Sequence, residues 1–282
     1  MPELPEVETT RLSLVTQVLG ARVQHVRLGK PLRWPIGVEP LHLVGATIAS
    51  VDRRGKYLWL AFTPRDNAQP SHGGLLMHLG MSGSLAWLTS ASVAEPGKHD
   101  HFDLVTHQGT LRLTDPRRFG AVVWSPSMHC DPAATLLSRL GPEPFDAQLT
   151  TALFHAALQR HRADIKGVLL SGKVLVGAGN IYACEALFAA GIHPRTAADH
   201  ISRPRAACLL DALRQTLARA IEAGGTTLRD FRNAYGESGR FQNDACVYGR
   251  EGLPCVTCGT PLKRIVQGQR STFFCPQCQR RR

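Results

Sequence analysis

Near its C-terminal end the chain carries two cysteine pairs, Cys255-x2-Cys258 and Cys275-x2-Cys278, separated by sixteen residues. No other stretch restricts the fold as much. Two such knuckles close a tetrahedral four-thiolate site, and zinc is the metal that this soft donor set selects. The expectation is one Zn2+ held by Cys255, Cys258, Cys275 and Cys278. Four thiolates leave no open coordination position, so the ion is structural and not catalytic. Between the knuckles, Lys263-Arg264 through Gln269-Arg270-Ser271 reads as a two-stranded ribbon. Cys130, Cys184, Cys208 and Cys246 are scattered and read as ordinary buried thiols. With no basic and apolar leader at the start, a secreted disulfide framework is not expected.

Charge narrows the partner. The 282 residues carry a formal net charge of +11, and from Cys246 to Arg282 there are seven basic residues and one acidic. A basic chain with a basic zinc hairpin points to a polyanion, nucleic acid first, although a merely basic enzyme has the same balance. Hydrophobic content of 43% is ample for real cores. No run approaches the ~20 apolar residues of a membrane span, so a membrane is not an expected partner.

The chain reads as α+β and multidomain. Glu6–Leu19 has the period of a helix, with Val7, Leu14, Val15 and Val18 on one side. Val23–Leu28, Lys56–Phe62, Leu75–Leu79, His101–Val105, Thr110–Thr114 and Ala121–Trp124 read as short strands between turn-rich pieces, the pattern of a sandwich or barrel. Gly141-Pro-Glu-Pro144 is the expected linker. Beyond it Ala147–His161, Asp164–Leu170, Asn180–Ala190, Arg203–Ala223 and a short piece near Thr227–Phe231 read as helices, followed by a glycine-rich loop, Tyr235–Gly239. The expected boundaries are an N-terminal helix plus β-sandwich at 1–130, a linker at 131–145, a helical domain at 146–240 and the zinc hairpin at 241–282.

Several residues stand out for their chemistry. Met1-Pro2-Glu3-Leu4-Pro5-Glu6-Val7-Glu8 begins the chain with three carboxylates and two prolines. Removal of the initiator methionine is expected because the next residue is small. Pro2 would then carry a secondary α-amine, partly neutral at pH 7 because such groups titrate near ~8. A neutral amine attacks an electrophilic sugar carbon and forms an imine, with Glu3 beside it to move a proton. The same residues also make an ordinary helix start, with acids in the first turn and proline near its head. Lys56 follows Arg53-Arg54-Gly55 at a strand mouth, where a basic residue is usually solvated. His78-Leu-Gly-Met-Ser-Gly-Ser84 and Asp115-Pro-Arg-Arg-Phe-Gly120 are turns that display Met81, Arg117 and Phe119. Apolar side chains on turns serve as wedges in proteins that extrude a base, and arginine suits an orphaned partner base. Spacing alone favours Met81 and Phe119 folding back onto the core. In Lys98-His-Asp-His-Phe-Asp103 two histidines alternate, but no third ligand has sensible spacing, so no metal is expected there. Val174-Leu-Val-Gly-Ala-Gly-Asn-Ile-Tyr182 is a glycine turn opening a helix, with Asn180 as its expected N-cap, a suitable place for phosphate. Arg160, His161, Arg162 and Lys166 form a basic cluster just before it, expected to face the same phosphate backbone.

Taken in order, Pro-Glu-Leu-Pro-Glu, Arg-Arg-Gly-Lys-Tyr-Leu, His-Leu-Gly-Met-Ser-Gly, Asp-Pro-Arg-Arg-Phe-Gly, Gly-Asn-Ile-Tyr and the four-cysteine finger resemble the formamidopyrimidine-DNA glycosylase family from Pro2 to Cys278. The resemblance implies a bifunctional DNA glycosylase and abasic-site lyase of base excision repair that removes 8-oxoguanine and formamidopyrimidines from duplex DNA, acting as a monomer in the bacterial cytoplasm. It makes the helical domain a helix-two-turn-helix module. It implies Pro2 as nucleophile, Glu3 as proton donor, Glu6 as an orienting carboxylate, Lys56 as the acid for β-elimination and Arg270 as a phosphate grip linked to δ-elimination. Met81, Arg117 and Phe119 become the void-filling set, and His99 a DNA contact. At Gly239-Arg240-Phe241 the chain departs from the family's Gly-Tyr-Phe, in a loop that covers the extruded base, which leaves base preference open. The implied rivals are an endonuclease VIII-like enzyme acting on oxidised pyrimidines and a DNA-binding zinc protein without catalysis. Leu4 and the Met81, Arg117 and Phe119 set argue against the first. Pro2, Glu3 and Lys56 argue against the second.

Overall fold

The computed structural model describes residues 2–63, 73–89, 93–226, 234 and 239–281. The expected helical piece at 227–231, residues 235–238 of the glycine-rich loop and residues 64–72 of the long turn lie outside them. Two compact units are formed. The first comprises residues 1–139 and 224–239, the second 140–223 and 240–282.

The first unit opens with α1 (Leu4–Val18). It begins two residues earlier than the periodicity indicates, because Glu3 and Glu6 form a reciprocal capping box and Pro5 sits in the first turn, where no N–H is needed. Eight strands follow: β1 (Val23–Leu28), β2 (Thr47–Arg54), β3 (Tyr57–Thr63), β4 (Gly74–His78), β5 (Ser84–Thr89), β6 (Asp100–Thr106), β7 (Gly109–Thr114) and β8 (Ala121–Ser125). They make two antiparallel four-stranded sheets, ordered β1-β6-β7-β5 and β2-β3-β4-β8. Val26, Leu85, Phe102 and Leu111 of one sheet meet Ile48, Leu58, Leu60 and Leu75 of the other in a single core, which Val7, Leu14 and Val18 of α1 join. This is the expected sandwich. β2 and β5 were not expected as strands. Both lie at sheet edges, and β2 is broken by a bulge between Ile48 and Ser50, so neither shows a clean alternation.

The apolar run Tyr57-Leu-Trp-Leu-Ala-Phe62 has a reason visible only in three dimensions. Leu58, Leu60 and Phe62 face the sandwich core. Trp59 and Leu76 face outward but are covered by Ala133, Leu136 and Leu137 of α2 (Ala133–Leu137). The stretch 131–145 is therefore no free linker. Its first part folds as α2 against the sandwich. Its second part is fixed within the second unit, where Gly141 N–H donates to Gly172 O at 2.7 Å and Arg214 Nε donates to Pro144 O at 2.7 Å. A Cβ on Gly141 would lie 2.4 Å from Lys173 O, so only glycine allows this approach.

In the second unit α3 (Thr151–Leu158), α4 (Ile165–Leu170), α5 (Asn180–Ala189) and α6 (Arg203–Glu222) pack around Phe154, Ile165, Leu175, Leu187 and Leu210. α3 and α4 start at side-chain caps, Thr150 to Leu153 N–H and Asp164 to Gly167 N–H. β9 (Lys263–Gln267) and β10 (Arg270–Phe274) pair as the hairpin read between the knuckles. Residues 224–239, assigned to the helical domain by sequence, return to the first unit: Thr226 N–H donates to Glu6 Oε1 at 2.7 Å and Ala234 N–H to Ser13 Oγ at 3.2 Å. No described helix is long and apolar enough to cross a membrane.

Candidate functional site

The start of the first unit is buried. Pro2, Glu3 and Glu6 are all enclosed, an unusual place for two carboxylates. Backbone donors account for Glu6: its Oε2 accepts from Glu3 N–H at 2.8 Å and its Oε1 from Thr226 N–H. Glu6 therefore ties the Glu3 backbone to that of Thr226. Gly225 passes so close that an added Cβ would lie 3.1 Å from Glu6 Oε1.

Lys56 is not the first residue of a strand. It is the second residue of the two-residue turn between β2 and β3, after Gly55 at φ +59°. That turn is tied to α1. Arg53 Nε donates to Glu8 Oε2 at 2.7 Å, and Arg53 Nη1 donates to Gly55 O at 3.0 Å. Burial alone would raise the Glu8 carboxyl, but hydrogen bonds from Arg11 and Arg53 outweigh it and hold the group below its ordinary value.

His78, which sequence reading passed over, belongs to this neighbourhood. Its ring lies 4.7 Å from that of Tyr57, and its Nδ1 accepts from Gly80 N–H at 2.9 Å. That bond leaves the proton of a neutral imidazole on Nε2. Burial first, then the Lys56 and Arg33 cations, push its pKa down to about 4. Beside the cationic Lys56, His78 thus offers a neutral N–H donor at physiological pH. Its only sequence signal was an imidazole ending an otherwise apolar strand.

The two turns do display their side chains. Met81 is 43% exposed and Phe119 44%, so neither folds onto the core as spacing alone had favoured. Arg117 Cζ sits 4.7 Å from the Phe119 ring centroid, a cation–π contact that holds the two together. Beneath them Asp115 is fully buried, accepting from Ser82 Oγ at 2.6 Å and from Gly120 N–H at 2.7 Å. Asp115 N–H donates to His99 O at 2.8 Å, which places exposed His99 next to the same turn. His101 is buried, and among the described residues the four hairpin cysteines form the group that could hold a metal ion.

In the second unit the basic residues divide. Arg160, Arg162 and Arg270 are exposed, and His161 is half-buried. Lys166, expected to face the phosphate backbone, is 0% exposed. Its Nζ donates to Asn180 Oδ1 at 2.6 Å, to Thr272 Oγ1 at 2.6 Å and to Ser271 O at 3.2 Å. The ammonium is an internal clamp joining α4, α5 and β10, because these acceptors replace its water. Asn180 also departs from expectation: the N-cap of α5 is Gly179, and Asn180 is the first helical residue. Its amide donates to Ser271 O at 3.0 Å and to Tyr248 Oη at 3.2 Å instead of capping backbone. Together these bonds fix β10 immediately after Arg270. Phe241, of the expected covering loop, is buried against Tyr182, with ring centroids 5.3 Å apart, while Arg240 is exposed.

The four cysteine sulfurs lie within 4.8 Å of one another, with Cys255–Cys278 at 3.9 Å and Cys258–Cys275 at 3.5 Å. A tetrahedral Zn–S length of about 2.3 Å requires ligand-to-ligand edges of about 3.8 Å, so the cage fits one zinc ion. Thr257 and Cys278 N–H groups donate to Cys255 and Cys275 sulfurs, the usual outer support of such a site. Of the other four cysteines only Cys184 is buried; Cys130 and Cys208 are exposed and Cys246 is intermediate, contrary to the sequence reading.

Comparison with known proteins matches three successive segments: residues 1–122 to the formamidopyrimidine-DNA glycosylase N-terminal domain, 140–232 to the formamidopyrimidine-DNA glycosylase H2TH domain and 252–281 to the zinc finger found in FPG and IleRS. A formamidopyrimidine-DNA glycosylase of Albidiferax ferrireducens is 54% identical over 99% of this chain and 100% of its own. The crystal structure of the MutM (FPG) protein of Thermus thermophilus covers 99% of both chains at a TM-score of 0.85 and 39% identity. A Lactococcus lactis FPG mutant in complex with Fapy-dG containing DNA matches 99% of this chain and 100% of its own at a TM-score of 0.87 and 31% identity. Agreement at this identity, end to end and in all three segments, makes the chain a member of the formamidopyrimidine-DNA glycosylase family.

Proposed function

We propose that the protein is a bifunctional DNA glycosylase and abasic-site lyase that excises 8-oxoguanine and formamidopyrimidines from damaged duplex DNA during base excision repair. The observation that carries this reading is the first unit itself. A buried Pro2-Glu3 start and Lys56 share one sandwich with an exposed Met81, Arg117 and Phe119 wedge. A binding protein has no use for the first pair, and most hydrolases have none for the wedge.

The exposed basic residues, Arg162, Arg270 and the hairpin's Lys263 and Arg264 among them, hold phosphates without reading sequence. His99 and the His78 Nε2–H add contacts from the first unit. Lys166 and Asn180 contribute by fixing the strand that bears Arg270. The bound zinc supplies structure to the hairpin and takes no part in the reaction.

Met81, Arg117 and Phe119 fill the gap as the damaged purine leaves the stack. The C1′–N9 bond breaks through an oxocarbenium-like state and the base departs. The Pro2 nitrogen, freed by removal of Met1, bonds to C1′ while Glu3 protonates the ring oxygen, so the sugar opens to an iminium. That cation acidifies C2′–H. Loss of the proton expels the 3′ phosphate, and a second elimination expels the 5′ phosphate, with Lys56 and Arg270 assisting as acids. The protein works as a monomer in the bacterial cytoplasm, on nucleoid DNA.

Borohydride reduction during incubation with an 8-oxoguanine·cytosine duplex tests this reading. A reduced adduct mapped to the Pro2 amine is the expected product. Trapping on thymine-glycol DNA alone would move the substrate to oxidised pyrimidines. No trapping on either duplex, with tight binding intact, would remove the enzyme reading.

A further inference from the structure

The two wedge turns are separate in sequence, and one buried carboxylate joins them. Asp115 Oδ1 accepts from Ser82 Oγ at 2.6 Å and from Arg117 N–H at 3.2 Å; Oδ2 accepts from Gly120 N–H at 2.7 Å. Ser82 Oγ in turn accepts from Arg117 N–H at 3.3 Å. Gly80 packs against the other turn so tightly that an added Cβ would lie 2.5 Å from Gly120 N and Phe119 C. Met81 stands between Gly80 and Ser82, and Arg117 and Phe119 stand between Asp115 and Gly120. The three side chains are thus anchored at both ends to one hydrogen-bonded frame. Arg118, at the crest, has φ +56°, a left-handed conformation that a non-glycine residue keeps only when its surroundings impose it.

We infer that Ser82 and Asp115 form a latch that makes the two turns one rigid wedge, and that Ser82 is a positioning residue for base extrusion and for reading the opposite base. The inference rests on the glycosylase reading above. Neither residue touches the reacting atoms. Their effect is to fix the distance between the apolar wedge, Met81 with Phe119, and the base reader, Arg117. A duplex pays unstacking and unpairing energy only if the void is filled as the base leaves, so a wedge that moves in two halves loses extrusion before it loses chemistry. A pre-formed abasic site has no base to extrude and does not need the latch.

Ser82→Ala and Ser82→Thr separate these effects on two duplexes, one with 8-oxoguanine opposite cytosine or adenine, the other with an abasic site. The expected result for Ser82→Ala is a loss of about tenfold in the single-turnover rate of 8-oxoguanine excision, the size of one lost hydrogen bond. The cytosine-over-adenine preference shrinks, abasic-site cleavage stays at the wild-type rate, and Ser82→Thr, which keeps the hydroxyl, restores excision and preference. Wild-type excision and preference in Ser82→Ala would overturn the latch. So would an equal fall in excision and abasic cleavage that threonine does not rescue, since that is general loss of structure. A wild-type chain that cuts neither duplex would overturn the glycosylase reading, and the latch with it.

Discussion

Apolar side chains from both sheets and α1 meet in one continuous core in the first unit, and the ionic groups buried there are paired, as buried Asp103 is with Arg112 and Arg27. The hairpin region of the second unit is built differently. Its apolar cluster is small, chiefly Val247, Leu262 and Phe273 beside three of the cysteines. Polar groups do the rest from full burial. Glu185 accepts from the N–H groups of Cys246, Val247 and Tyr248 at 2.8–3.0 Å, and Gln279 ties Cys275 N–H to Ile192 O. Lys166 clamps β10. A large core holds its fold with many weak, interchangeable contacts. A short hairpin cannot bury enough apolar area to fold, so it depends on a metal and a few specific bonds, each hard to replace. The proposed division of labour follows the same line: covalent chemistry in the first unit, grip on the backbone in the second.

The largest expected effect tests that division at its chemical end. Pro2→Gly replaces the secondary amine and should lower lyase turnover by about a thousandfold or more, while duplex affinity measured by anisotropy holds. Equal loss of affinity would show that the first unit also carries the grip. Zinc removal tests the other end. Chelation, or Cys255→Ser, should weaken duplex binding about a hundredfold, yet leave the near-ultraviolet signal and unfolding transition of the sandwich in place. Melting of both units together would break the comparison.

Lys166→Met sharpens it. Methionine fills similar volume but leaves Asn180 Oδ1, Ser271 O and Thr272 Oγ1 without their ammonium. The expected cost is about 3 kcal/mol by denaturant unfolding, confined to the second unit. An apolar substitution of like size in the sandwich core, Leu60→Met, should cost less than about 1.5 kcal/mol.

The smallest effect is in pH dependence of the first unit. The folded pKa of His78 lies near 4 and its ordinary value is 6.5. The unfolded chain therefore takes up this proton first, so the contribution to stability is complete above pH 6.5 and is lost as pH falls toward 4. Below that window Glu8 and Asp103 act in the same direction. For Asp103, burial opposes ionisation, but hydrogen bonds from Arg27 and Arg112 prevail and its pKa is lowered. Their contributions are present above ordinary carboxylate values and disappear as pH drops through the lowered ones. Nitrogen-detected NMR should find His78 as the Nε2–H tautomer at pH 6, and a midpoint at or above 6.5 would refute the buried assignment.

Legibility in the sequence followed the kind of interaction. Strand β7 was readable because Leu111 and Leu113, which join the core, alternate with Thr110, Arg112 and Thr114. The edge strand β2 was not, because a bulge breaks its alternation, and β5 and the five-residue α2 were not, because their partners lie farther along the chain. Met81 and Phe119 were readable as turn residues, but their exposure was not, since the same spacing serves a side chain folded inward. Lys166 was misread for the opposite reason. A lysine in a basic cluster looks solvated until Asn180, Ser271 and Thr272 are seen to surround it. His78 carried almost no signal, because its burial and its Lys56 and Arg33 neighbours come only with the folded chain, although the Gly80 bond is local.

Sequence alone determined the zinc cage, because ligand type and spacing within one short hairpin suffice for tetrahedral closure. It also carried the five short family motifs that precede the finger, each complete within a few consecutive residues. Only the tertiary structure decided which charges are buried, where the chain re-enters the first unit after α6, and how two distant turns share Asp115. Those depend on desolvation and on contacts across the sandwich, and no local pattern encodes what a folded chain will place against a side chain.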